Sequence, residues 1–95
     1  MENQHRQIKG YRELSQQEID LMNRIKEKGT ELLSLHASLV TVIGQQQAAV
    51  MVYGCEEDQA RFFEAEPLRW AAIGKKDIQT GVMALVRAVA QPDGV

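Results

Sequence analysis

Cysteine is almost absent from this chain: Cys55 is the only one in 95 residues, so neither a disulfide framework nor a cysteine-based zinc site can form, and a reducing compartment is the simplest setting. Charge of one sign is not in excess either. Eleven Lys and Arg against thirteen Asp and Glu leave a net charge of -2, and the pI lies near 5.6. That balance argues against duplex nucleic acid as a partner, because many phosphates would have to be neutralised. No long hydrophobic run is present. The longest stretch free of Asp, Glu, Lys, Arg and His, from Ala37 to Cys55, carries Gln45, Gln46 and Gln47 at its centre, where a membrane span requires apolar residues. The N-terminal residues from Met1 to Gln7 lack an apolar segment after their charges, which excludes a secretory signal and leads us to expect a cytoplasmic protein. His5 and His36 are the only histidines.

Hydrophobic residues make up 44% and charged residues 25%, the balance of an ordinary folded chain, and the length suits one domain over residues 1–95. The clearest local signal is Leu14-Ser15-Gln16-Gln17-Glu18-Ile19: Ser15 caps a helix, Glu18 closes the capping box, and Leu14 with Ile19 forms a hydrophobic staple. Ile19, Met22, Ile25, Gly29, Leu32, His36, Leu39 and Ile43 then recur at spacings of three and four, the stripe of a long helix that ends near Gly44. Residues 48–53 read as a strand or as a prolongation of that helix, with the helix preferred. Between Glu56 and Glu66 five acids against Arg61 give a net charge of -4, the pattern of a solvated turn with a short helix around Ala60 to Phe63. A second helix opens at Glu66-Pro67, where proline suits the first helical position, and runs from Leu68 to Ala90 before Gln91-Pro92-Asp93-Gly94 closes it.

The expected architecture is all-α, a two-helix hairpin with a short N-terminal segment. Val82, Met83, Leu85, Val86 and Val89 surround the axis of the second helix and leave only Arg87 polar between Val82 and Ala90. One partner helix cannot cover that circumference. Gly74 and Gly81 lie two turns apart, each costing about 1 kcal/mol against Ala in a helix interior, a cost offset when another helix crosses closely. A homo-oligomer whose interface includes Val82, Met83, Val86 and Val89 resolves both features.

Enzymatic readings fail for lack of parts: the chain has no Gly-rich phosphate loop, no nucleophile elbow and no His-rich metal spacing. His36, on the apolar stripe, reads as a satisfied core or interface histidine. The acidic run Glu56, Glu57 and Asp58 has no partner base and reads as solvated, and Cys55 beside it reads as unreactive. What remains is a sparse set of basic and aromatic residues. Arg6, Lys9, Tyr11 and Arg12 precede the first helix, and Arg24, Lys26 and Lys28 follow within it. An aromatic face stacks a nucleobase and a lysine supplies a charge to a phosphate, so Tyr11 with Lys26 suits a small nucleotide; packing and solvation are their bland alternatives. Arg69 stands beside Trp70, with Trp70 read as core and Arg69 as surface or phosphate-facing.

The runs Gly10-Tyr11-Arg12-Glu13-Leu14-Ser15, Ile25-Lys26-Glu27-Lys28-Gly29, Arg69-Trp70-Ala71-Ala72-Ile73-Gly74 and Gln79 to Pro92 resemble the phage anti-CBASS cyclic-oligonucleotide sponges, whose helical hairpin is related to that of the Thoeris anti-defence sponges. The similarity spans both helices, apart from about residues 45–64, and is most specific at the closing Gln91-Pro92. The resemblance implies a homohexamer that sequesters cyclic nucleotide messengers of bacterial immunity without cleaving them, in the cytoplasm of the infected bacterium, and without cofactor or metal. It implies a pocket between protomers for cyclic dinucleotides such as cyclic GMP-AMP, whose aromatic and lysine match Tyr11 and Lys26. A separate site for cyclic trinucleotides, where subunits meet in threes, has an arginine that matches Arg69. The small polar residue of that second site falls at Lys28, a departure from the family pattern unless Thr30 substitutes. The rival reading is a helical oligomeric scaffold or regulator that binds a protein partner through the acidic segment from Glu56 to Glu66. A small nucleotide-hydrolysing enzyme is a third, separated by whether ligand is recovered intact.

Overall fold

The computed structural model describes residues 13–93, so Tyr11, with His5, Arg6, Lys9 and Arg12, lies outside the described residues. Three helices, α1 (Gln16–Tyr53), α2 (Glu56–Ala65) and α3 (Pro67–Ala90), make up the described chain, with no strand among the described residues. The all-α expectation holds. Among the described residues, no helix is long and apolar enough to cross a membrane.

Ser15 and Glu18 start α1 as the sequence predicts. The Glu18 backbone N–H donates to Ser15 Oγ at 3.1 Å, and the Ser15 N–H donates to Glu18 Oε1 at 2.9 Å. The helix does not stop at Gly44. A single glycine costs a helix only about 1 kcal/mol, and the good helix formers Gln45, Gln46, Gln47, Ala48 and Ala49 carry α1 onward to Tyr53. The true stop is Gly54, where a Cβ would lie 2.7 Å from the Val50 carbonyl oxygen. That carbonyl accepts the Gly54 N–H at 3.0 Å, and Gln59 Nε2 donates to it and to the Gly54 carbonyl at 3.3 Å each. Gln59 thus gives the Gly54 carbonyl a donor at the end of α1 and adds a second one to the Val50 carbonyl.

The acidic segment, expected to be a turn with a short helix around Ala60 to Phe63, is helical from Glu56 to Ala65. Glu56, Glu57 and Asp58 occupy the first turn of α2, where the positive end of the helix dipole favours carboxylates. Glu66 closes α2 at φ 48, ψ 53, and its carbonyl accepts the Trp70 N–H as α3 begins with Pro67. A residue with a side chain costs about 1–2 kcal/mol in this left-handed region, so Glu66→Gly is expected to stabilise the fold by about 0.5–1 kcal/mol. Thermal denaturation at fixed protein concentration checks this. The Glu66 carboxylate lost in the change pairs with Arg69 at 3.8 Å on the surface, a contribution too small to reverse the sign. At the far end Gln91 adopts φ 48 and donates its N–H to the Arg87 carbonyl at 2.8 Å, ending α3 directly before Pro92.

The chain forms two compact units, Met1–Thr30 with Gln79–Val95, and Glu31–Ile78. In the second, Ile43, Phe62 and Ala71 are buried together, with Val40 and Val50 packed against them. Phe62 explains why α2 folds despite its charge: one face of the helix carries a ring into this core, and Phe63 meets that ring edge-on at 5.4 Å. His36 is satisfied as expected, its Nε2–H donating to the Ala71 carbonyl at 2.9 Å. The buried stripe of α1 differs in detail from the sequence reading. Leu33 and Val40 are half-buried, whereas Leu32 and Leu39 are 47% and 49% exposed.

In the first unit the close approach falls at Gly29, where a Cβ would lie 2.6 Å from Val82 Cγ2. At Gly74 and Gly81, expected to admit another helix, such a Cβ would meet no other element within 4 Å among the described residues. Trp70, expected in the core, is 59% exposed. The buried line of α3 runs through Ala71 with half-buried Pro67, Gly74 and Ile78, and Trp70 flanks it.

Candidate functional site

In the first unit, α1 and α3 present a groove of about 300 Å³, at the small end of ligand pockets. Lys26 stands on the α1 side. Val82, Met83, Val86 and Arg87 come from α3, and Ala90 and Pro92 complete the wall. Local sequence explains each placement. Lys26 follows the half-buried Ile25 by one residue and flanks the buried line rather than entering it. Gly29, one turn on, lets α3 approach until its Val82 touches the α1 backbone. Pro92 cannot extend α3, and the left-handed Gln91 turns it back onto the groove.

Chemically the groove is an apolar surface bearing two cations, Lys26 and Arg87, with no carboxylate among its described lining residues. A surface of this kind takes an anion that also has flat or apolar faces. Its described lining residues include no histidine and no carboxylate, and no group of three or more His, Cys, Asp or Glu side chains placed to hold a metal occurs among the described residues.

Of the residues singled out from the sequence, Lys26 lines this groove, whereas Tyr11 lies outside the described residues. Thr30 is tied to the same turn: its hydroxyl donates to the Lys26 carbonyl at 3.0 Å, and the oxygen keeps lone pairs for a further donor. Lys28 is exposed on α1. Arg69 belongs to the second unit, where its guanidinium carbon lies 5.2 Å from the centre of the Trp70 ring and its Nε 3.8 Å from Glu66 Oε1. Arg87 and Met83 were missed as groove residues. The one signal was Arg87 itself, a single polar residue in an otherwise apolar half-helix.

The second unit has a larger groove of about 640 Å³, lined by apolar residues that include Leu35, Leu39, Trp70 and Ile78, with His36 at its wall.

Residues 3–90 match the family described as Acb2/Tad1, hairpin domain. The chain belongs to that family. It is also 54% identical to Anti-CBASS protein 2 of Pseudomonas phage JBD67 across 107 aligned positions that cover 99% of each protein. The matched span takes in the groove residues of this Acb2/Tad1 hairpin protein from Lys26 to Ala90. The resemblance seen in the sequence is therefore correct at the level of the family, and it extends through the 45–64 stretch that had been set apart.

Proposed function

We propose that this protein is an anti-CBASS sponge: it binds cyclic dinucleotides such as cyclic GMP-AMP in the cytoplasm of an infected bacterium and withholds them without cleavage. The observation that carries the reading is the apolar, doubly cationic groove around Lys26, in a chain that matches Anti-CBASS protein 2 along nearly its whole length. A sponge needs affinity and sufficient sites, and nanomolar binding corresponds to about -12 kcal/mol. Two phosphates cannot supply that alone. Apolar enclosure by Val82, Met83 and Val86 and a base stacked on Tyr11 supply the rest.

The site is completed by a second protomer in a homo-oligomer, a hexamer by family resemblance. Its support is the thinness of the core: among the described residues only Ile43, Phe62, Ala71 and Ala90 are buried apolar side chains. Meanwhile Leu35, Met83 and Leu85 stand 65%, 71% and 55% exposed. Val82 already serves the chain's own packing against Gly29, which leaves Met83 as the most exposed of the four residues expected at the interface. Light scattering that found a 10.7 kDa monomer at micromolar concentration would remove the interprotomer site.

The deciding experiment is a titration of the purified protein against a panel of cyclic di- and trinucleotides, followed by heat release and identification of the ligand. Intact ligand supports sequestration, and a cleaved one makes the protein an enzyme. Tight binding of none supports the scaffold reading. Three of the five acids in the segment on which that reading rests, Glu56, Glu57 and Asp58, have a structural reason in the first turn of α2.

Arg69, with Lys28 or Thr30, is proposed for cyclic trinucleotides. Stacking on Trp70 holds the guanidinium plane while its edge stays available for a phosphate, and the surface pair with Glu66 is weak enough to exchange. Arg69→Ala is expected to weaken cyclic-trinucleotide binding about tenfold or more, with cyclic-dinucleotide affinity unchanged by calorimetry. Equal losses for both ligand classes would point to a shared site.

A further inference from the structure

We propose that the Gln91-Pro92 turn is a preformed end wall of the Lys26 groove, and that the Pro92 ring is a binding residue that packs against a nucleobase of the ligand. The inference rests on the cyclic-dinucleotide reading and deepens it, because it adds to the site a residue that lies beyond the end of α3 and outside the matched span of the hairpin domain.

The turn is fixed at three consecutive positions. Ala90, only 6% exposed, anchors it in the packing of the first unit. Gln91 adopts φ 48, a region that residues with a side chain seldom enter, and its N–H is held by the Arg87 carbonyl at 2.8 Å. Pro92 follows with its φ restricted by its own ring. Its side chain is half-buried and lines the groove together with Lys26, Val82, Met83 and Val86. Helix termination is the other office open to this pair, since a left-handed residue followed by proline is a common stop. That office asks only that α3 end; a glycine at position 91 would serve it without strain, and nothing in it requires Pro92 to share a groove with Lys26. A rigid apolar ring already in place gives up little conformational freedom when the flat face of a base settles on it, so the contact adds to affinity with little ordering cost.

The two roles separate under Pro92→Ala and Pro92→Asp. Calorimetric titration with 3′,3′-cyclic GMP-AMP is run on the wild type, on both variants and on Lys26→Ala, at low and at high salt, with melting temperature and light scattering recorded for each. If Pro92 is a wall of the site, P92A binds about three- to tenfold more weakly than the wild type, and by the same factor at both salt concentrations, because the lost contact is apolar. P92D sets a carboxylate against a dianionic ligand and binds about tenfold more weakly or worse, with a deficit that shrinks as salt rises. Wild-type affinity in both variants, with wild-type melting and assembly, leaves Pro92 as a helix stop and overturns the proposal while Lys26→Ala still reports on the site. Should P92A fail to fold, P92D decides alone: wild-type affinity in P92D at low salt rejects the wall. Absence of any binding by the wild type overturns the cyclic-dinucleotide reading and this proposal with it.

Discussion

Gly29→Leu is expected to abolish the packing of α1 on α3 in the first unit and to cost at least about 3 kcal/mol. The Cβ alone would lie 2.6 Å from Val82 Cγ2, and three further carbons would follow it into the same space. Val82 cannot swing away at little cost, because a β-branched side chain in a helix has essentially one favoured rotamer. The helices would have to part, and the groove that joins Lys26 to Val86 and Arg87 would open with them. Denaturant unfolding followed by circular dichroism, at fixed protomer concentration, measures the loss. The smaller change Gly29→Ala gains about 1 kcal/mol in helix propensity against its clash, so its cost is modest, and its combination with Val82→Ala should cost less than the sum of the single changes. Strict additivity would mean that the two residues do not share a contact.

Lys26→Ala is expected to weaken cyclic-dinucleotide binding about ten- to a hundredfold through loss of a charge-assisted phosphate contact. Tyr11→Ala should cost about 1–3 kcal/mol of base stacking. Lys26 is exposed on α1, so its removal leaves stability within about 0.5 kcal/mol. Calorimetry on both variants, with circular dichroism to show that they fold, is the measurement. Unchanged affinity in both would move the site away from this groove, even if the protein binds cyclic nucleotides elsewhere.

The features legible in the sequence are those governed by a few neighbouring residues. Ser15 and Glu18 form their reciprocal hydrogen bonds as their spacing predicts. Pro67 begins α3, and the Gln91-Pro92 pair ends it. What was misread depended on competition between distant or nearly equal choices. Leu32 and Leu33, and Leu39 and Val40, satisfy the same three-four spacing, and only the tertiary packing selects the second member of each pair for burial, Val40 against Phe62 and Ala71. Gly44 looks like a helix stop, but the helix formers after it carry α1 on to Tyr53, and Gly54 follows the last helical residue. The charge of the 56–66 segment argued for a turn, and Phe62 outweighed it by burying its ring with Ile43 and Ala71.

The candidate site divides along the same line. Lys26 was found from residue type, spacing and family resemblance, each a property of the chain as a string. Arg87, Met83 and Pro92 are about sixty residues away along the chain and share the groove with Lys26 only because Gly29 admits Val82. By itself, then, the sequence determined the helical class, the capped start of α1 and the family, and it singled out a lysine that lines the groove, since local hydrogen bonding and motif identity act over a few residues. The extent of α1, the helical nature of the acidic segment, the exposure of Trp70 and the pairing of two cations over one apolar floor were decided by tertiary structure. Each depends on which surfaces a distant helix covers, and burial free energy is set by that contact rather than by the neighbours in the chain.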